Sequence, residues 1–268
     1  MRGIRWLLVL ALLIGQSIAA RGQDAKEIVE QAVRTELAAS RNDHTTWLYY
    51  EVDRKPANTL VQWVAETHEG NVRRVLRQNG KTLSLAQQRA IMNRFVNNPQ
   101  LRARQRNAGQ HDDAQATEML ELLPNAFIWT ITSKDALNTS LYFRPDPNFQ
   151  PPDWETRVFA AMDGTMVVSN AQHRIVSLKG RLIHNVKFFF GLLGDLQAGG
   201  TFDVERRETG DSEWQITETH IHIQGYALLF KNISQEEDDV LSDFKQLPSD
   251  ITLEQAEQEL MQQPEKPE

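Results

Sequence analysis

Apolar positions recur at helical spacing over residues 24–39, where Ile28, Ala32, Val33 and Leu37 fall on one side. Asp24 suits the N-cap of that helix, and Arg41-Asn42-Asp43 supplies its stop. The period then drops to two. Trp47, Tyr49 and Glu51 alternate with Leu48, Tyr50 and Val52, and strand-like residues continue over Leu60–Thr67 and Val72–Gln78. Asn79-Gly80 is a hairpin turn signal. Apolar residues on both faces of the first strand predict one face packed on a helix and the other lining something apolar.

Helical spacing returns at Ile91, Met92, Phe95 and Val96, behind a Ser84/Gln87 capping box. Asn98-Pro99 ends this helix and opens a second, polar one over 100–110, in which Leu101 is the large apolar residue. A third is predicted over Asp112–Leu123, closed by Pro124. These helices interrupt a β chain and predict an insert laid across a sheet. From Phe127 the strand signal resumes over Phe127–Thr132, Ser140–Arg144, Thr165–Val168, Arg174–Ile183, Thr201–Arg207, Glu213–Ile223 and Tyr226–Ile233. Short helices are expected at Trp154–Met162 and over 250–262, with Pro264–Glu268 as a disordered tail. Nine or ten strands in all predict an α+β fold with a curled antiparallel sheet.

The N-terminus changes the picture by adding a compartment. Arg2 and Arg5 precede an apolar run from Trp6 to Ile14, and Ser17-Ile18-Ala19 presents small residues at the cleavage positions of a signal peptide. Nine residues rise about 14 Å as a helix, against about 30 Å of bilayer core. No cysteine occurs, so there is no lipid-attachment residue after this run. The expected organisation is a leader over 1–19, one domain over 24–247 with a helical insert at 84–123, and a short helix with tail over 248–268. A soluble, exported chain of 268 residues without disulfides fits a bacterial periplasm and can rely on its own core.

Charge refines the choice of partners. The formal net charge is -7, from 29 basic and 36 acidic residues. Loss of Arg2 and Arg5 with the leader would leave 27 against 36, a net of -9. Between Asn71 and Arg106 stand nine basic residues (Arg73, Arg74, Arg77, Lys81, Arg89, Arg94, Arg102, Arg104 and Arg106) and no acid. Such a block predicts either a surface for anionic headgroups or an acidic protein, or a solvated face balanced by acids such as Glu236-Glu237-Asp238-Asp239. The acidic balance and the leader exclude a nucleic-acid binder.

Other chemistry is sparse. The run from Val186 to Leu196 carries Phe188, Phe189, Phe190, Leu192 and Leu193, which fit either core packing or the lip of an apolar cavity. His220 and His222 share one strand face at an allowed metal spacing, but nothing nearby supplies a third ligand. Nucleophile-elbow, HExxH, P-loop, GxGxxG and EF-hand patterns are absent. No enzyme, cofactor or metal is therefore expected; a hydrolase would need a clustered pair of titratable groups in a cleft.

The order of elements resembles the LolA/LolB-type lipoprotein-localisation fold. The resemblance is carried by Met162-Asp163-Gly164-Thr165-Met166-Val167-Val168, a turn, and His173-Arg174-Ile175-Val176-Ser177-Leu178-Lys179-Gly180, and by the Asn79-Gly80-Lys81 turn with its helical insert. It implies an incomplete, unclosed β-barrel with a helical lid over an apolar cavity for acyl chains. It also implies a monomeric carrier or binding protein for a lipid or lipidated protein, with Trp47, Tyr49 and Trp63 lining the cavity and the arginines steering anionic headgroups. The other function the resemblance implies is a non-enzymatic regulator that docks on a membrane signalling partner.

Overall fold

The computed structural model describes residues 24–153, 156–188, 194–210, 213–227 and 236–265. The leader expected over 1–19, Trp154, Phe190, Leu192, Leu193 and the chain beyond 265 lie outside these residues, as does the Phe188 side chain. The protein is α+β. Its helices are α1 (24–42), α2 (Leu85–Val96), α3 (Pro99–Ala126) and α4 (Leu253–Gln262). The strands are β1 (Thr46–Lys55), β2 (Asn58–Ala65), β3 (Val72–Gln78), β4 (Lys81–Thr82), β5 (Phe127–Lys134), β6 (Asn138–Pro145), β7 (Met162–Ser169), β8 (Ile175–Leu182), β9 (Val186–Phe188), β10 (Gly194–Leu196), β11 (Thr201–Gly210), β12 (Glu213–His222), β13 (Gly225–Ala227) and β14 (Glu236–Leu247). Eleven of them form an antiparallel sheet that does not close on itself, while β9, β10 and β13 form a small sheet of their own. The strands beyond the ten expected are β4, β9, β10 and β14.

The chain divides into two compact units. The first holds described residues 42–118, 201–224 and 236–265, with strand order β4-β3-β2-β1-β14-β12-β11. One face of its sheet is a core. Leu48, Tyr50 and Val52 of β1 pack with Val61, Trp63, Val72 and Leu76, under Met92 of α2 and Leu253, Ala256 and Leu260 of α4. Burying each such leucine stabilises the unit by about 1.5–3 kcal/mol. The Ser84/Gln87 capping box is present at the start of α2. Asn79 and Gly80 both have positive φ, 50° and 75°, as a two-residue I′ turn requires, and they join β3 to β4.

The acidic run Glu236-Glu237-Asp238-Asp239 is part of the sheet. It opens β14, which pairs with β1 on one side and β12 on the other. Of the tail expected over Pro264–Glu268, the two described residues are held: Trp63 Nε1 donates to Pro264 O at 2.9 Å and Glu265 faces Arg74.

The second unit holds described residues 24–41, 119–200 and 225–227, with order β8-β7-β6-β5. Phe127, Trp129, Phe143 and Phe159 form its aromatic core. Gly164 sits opposite Gly180 across β7 and β8, beneath the Phe143 ring; a β-carbon on Gly164 would lie 2.0 Å from Lys179 O. The buried face of α1 is Ala25, Val29, Ala32, Val33 and Glu36. Ile28 and Leu37, expected on that face, are half-buried. The helix is turned because Glu36 is drawn inward, where it meets Arg174 at 3.0 Å and accepts the Ile175 N–H at 2.7 Å. Apolar periodicity alone cannot anticipate a buried carboxylate.

The second and third predicted helices are one continuous helix, α3, about 42 Å long. Asn98 Oδ1 caps it by accepting the N–H groups of Gln100 and Leu101. No proline stands between Pro99 and Pro124, and Arg, Gln, Ala and Glu carry the helix across the polar stretch. Its first three turns bear Arg102, Arg104 and Arg106, and from its midpoint onward stand Asp112, Asp113, Glu118 and Glu121. Residues 106–119 are exposed apart from half-buried Gln115, in keeping with the polar stretch over 100–110; over 111–119 the expected insert is not laid across a sheet. Pro124 falls inside the last turn, and the Leu123 carbonyl takes the Trp129 indole N–H at 3.2 Å.

Candidate functional site

The second face of β1 carries Trp47, Tyr49, Glu51, Asp53 and Lys55, because side chains alternate along a strand. Cross-strand pairing places Val64 beside Tyr49, Gln62 beside Glu51 and Leu60 beside Asp53 on β2. Arg73 of β3 follows Val64, while on β14 Leu241 stands opposite Glu51 and Asp239 opposite Asp53. A register shift between Leu48 and Tyr50, with Asp243 at φ 56°, brings Phe244 over the aromatic end. Its ring lies 6.2 Å from Trp47 edge-on and 5.5 Å from Tyr49. One sheet face therefore runs from an aromatic end (Trp47, Tyr49, Val64, Phe244) to a charged end (Glu51, Asp53, Lys55, Glu237, Asp239).

The charged end is tightly bonded on one side. Arg73 Nη1 donates to Glu51 Oε2 at 2.5 Å, and Gln62 Nε2 donates to the same oxygen. Lys55 Nζ lies 3.3 Å from Asp53 Oδ2 and 3.0 Å from Glu237 Oε1. On the other side it is under-bonded. Gln62 Oε1, Asp53 Oδ1 and Asp239 Oδ1 are buried and accept no hydrogen bond from the described residues. Gln62 is 0% exposed. Native interiors seldom leave such acceptors unpaired.

Burial, followed by the nearby charges of Glu51, Asp53 and Glu237, pushes Asp239 up to about 7. Burial likewise raises Glu66 to about 7, against the N–H of Trp47, which donates to Glu66 Oε2 at 3.0 Å. Tyr49 is raised by burial, with Glu51 and Glu66 adding to it. Burial opposes the charge of Arg73, yet Glu51 beside it holds the guanidinium above its ordinary value. Carboxyls poised near neutrality are what a hydrolase would need, but Glu66 sits by Trp47 and Asp239 opposite Asp53. Six residues of strand separate those positions, about 20 Å, too far for one acid–base pair to share a bond.

The structure separates the residues singled out in the sequence. Trp47 and Tyr49 share the face just described, whereas Trp63 points into the opposite core, edge-on to Tyr50 at 5.2 Å. Arg73 is engaged by Glu51 and is not offered to an anionic partner. Arg74 is buried on the other face, donating to Gln88 Oε1 at 2.8 Å, Leu260 O at 2.9 Å and Gln263 O at 2.7 Å. Burial lowers its pKa below the usual guanidinium value. Arg77 is half-buried on β3. Arg102 bonds Val96 O and faces Glu69 at 3.3 Å, and Arg106 donates to Glu69 O at 2.7 Å. Arg89, Arg94 and Arg104 are exposed, with no ion pair among the described residues. The basic block is thus divided: part builds the unit, and only part faces solvent.

His220 and His222 lie on the core-side register of β12 and meet Asp238 Oδ1, at 2.7 Å from His220 Nδ1 and 3.4 Å from His222 Nε2. Bonding to Asp238 raises the pKa of His220. Thr219 and Ile221, on the other face of β12, are half-buried. Among the described residues no three His, Cys, Asp or Glu side chains converge as a metal site, and no helix is long and apolar enough to cross a membrane.

Glu51, Asp53, Gln62 and Asp239 were not picked out by sequence reasoning as a site. The available signal was Glu51 inside an otherwise apolar strand, and the acids Glu236–Asp239 running directly into Val240, Leu241 and Phe244. Comparison with protein-family models, with curated proteins and with solved structures finds no match to this chain.

Proposed function

We propose that this chain is an exported, periplasmic carrier or binding protein for a lipid or a lipidated protein. The observation that supports the reading is the division of one sheet face into an aromatic end at Trp47, Tyr49 and Phe244 and a charged end at Glu51, Asp53 and Asp239. An amphiphile matches that division, its chain against the rings and its head among the polar groups. Each acyl methylene buried would stabilise the complex by about 0.8 kcal/mol.

The test is organic extraction and mass spectrometry of the full-length protein purified from periplasm, alongside Tyr49→Ser. Recovery of an acyl-bearing compound from the wild-type protein, reduced in the variant, is the expected result. Repeated absence of lipid, together with no uptake of acyl probes, refutes the reading. A second reading draws on the exposed arginines of α2 and α3: Arg89, Arg94 and Arg104 would dock the chain on an acidic membrane partner as a non-enzymatic regulator. In-cell crosslinking from position 104 would then capture one dominant membrane protein, with yield falling as salt rises.

A further inference from the structure

The basic block suggests anionic headgroups, but the buried end of the aromatic face has the opposite character. Its unpaired groups are all acceptors: Gln62 Oε1, Asp53 Oδ1 and Asp239 Oδ1. Gln62 is fully buried and its amide is fixed in this cluster by donating through Nε2 to Glu51, so its carbonyl cannot turn away without breaking that bond. Asp53 and Asp239 stand directly opposite each other on β1 and β14, a pairing that brings β-carbons to about 5 Å. Like charges so placed repel unless a donor or cation comes between them.

Beyond the proton that burial leaves on Asp239 below about pH 7, the surrounding groups supply no such donor. Facing the pair are Tyr49, Glu51 and Lys55 on β1, Arg73 on β3 and Glu237 on β14; β2 offers Gln62, and β12 offers Thr219 opposite Asp239. Four carboxyls stand against two cations, and both cations are engaged: Arg73 with Glu51, Lys55 with Asp53 Oδ2 and Glu237. A metal ion is not indicated, because no three His, Cys, Asp or Glu side chains converge among the described residues. What is missing is a positive group with several hydrogen-bond donors and an apolar attachment. From Glu51 back to Trp47 the same face runs about 13 Å past Leu241, Val64, Tyr49 and Phe244.

We infer that the buried free acceptors Gln62 Oε1, Asp53 Oδ1 and Asp239 Oδ1 mark a head-group site for an alkylammonium, the amine donating among them while its chain lies along the aromatic end. This inference rests on the carrier reading and gives it a head-group class. Asp239 now holds a proton near neutrality. An ammonium would displace that proton, so affinity should rise with pH through about 7.

The probes are dodecylamine, dodecanol and dodecanoate below their micellar concentrations, titrated calorimetrically into the full chain at pH 6 and pH 8. At pH 8 dodecylamine is expected to bind about tenfold more tightly than dodecanol, with dodecanoate weakest. The preference should shrink at pH 6 and vanish in Asp239→Asn; Asp53→Asn carries the same expectation should Asp239→Asn fail to fold. Equal or tighter binding of dodecanoate overturns the inference. So does an amine preference that survives both variants, since that would be general attraction to an acidic chain. Either result, with dodecanol still bound, leaves the carrier reading standing. If none of the three probes binds, both readings fall.

Discussion

Replacing Arg74 by methionine tests whether this arginine is a structural tie or a surface charge. Its side chain is 4% exposed and crosses from β3 to the end of α4, with Nη1 shared between Leu260 O and Gln263 O and Nε on Gln88 Oε1. Methionine fills much of the same volume but donates nothing. Leu260 O keeps one partner, the Gln263 N–H at 3.2 Å, so its loss is partial. Gln263 O and Gln88 Oε1 lose theirs, and orphaning a buried acceptor costs about 1–3 kcal/mol. The loss of a cation from a helix C-terminus adds a few tenths to about 1 kcal/mol. Because Gln263 O is only part-buried its share sits at the low end, and the sum is about 3 kcal/mol, or roughly 6–12 °C in Tm for a domain of this size. Thermal unfolding followed by circular dichroism reads it, and Arg89→Met on the exposed side of α2 serves as control. Arg74→Lys should recover only part of the loss, because a single ammonium cannot reach three acceptors fixed in a fork. A shift for Arg74→Met within about 2 °C of the control would refute the tie.

Other substitutions probe the remaining buried features. Glu36→Ala strands Arg174 in the second unit and should destabilise by about 3–5 kcal/mol, whereas Glu36→Leu with Arg174→Met should restore only part of it, since the Ile175 N–H stays without its acceptor; a thermal double-mutant cycle measures both. Gly164→Ala should lower stability by at least about 1–3 kcal/mol, as strands β7 and β8 part to clear Lys179 O; unchanged melting would show the strands already have slack. Asp239 and Glu66 have folded pKa values raised to about 7 over ordinary carboxyl values, so the protein holds these protons more tightly when folded. Their contribution is fullest below about pH 4 and is lost as pH rises to about 7; Asp239→Asn should flatten urea-midpoint profiles across that window. His220, raised by Asp238, contributes stability below about pH 6.5 that fades as pH rises through its folded value, and His220→Gln should remove that component.

The hydrophobic pattern revealed most of the elements because most of them bury one regular stripe. β1 was legible as doubly buried, and its two faces indeed separate into the core under α4 and the Trp47–Tyr49 patch. β14 was not legible, because four consecutive acids read as solvated when their partners Lys55 and His220 lie far away in sequence. The same blindness hid the turn of α1 around Glu36 and the assignment of Arg74 to the interior. Charge density along a chain reports how many ions there are. Which of them are matched inside depends on strand order, which no local window contains. The candidate site suffered most, since Asp53 and Asp239 meet only when strand β14 joins β1.

The charge order along α3 has an electrical consequence. Arginines stand in its first three turns and carboxylates from its midpoint onward, so the side-chain field adds to that of the peptide dipoles when it should oppose it. A helix with the reverse order is weakened by added salt; this one is strengthened, because ions screen a repulsion between charge and backbone. Its exposed middle turns should therefore exchange amide hydrogens more slowly in 0.5 M salt than in dilute buffer, roughly opposite to a salt-bridged helix of the same length.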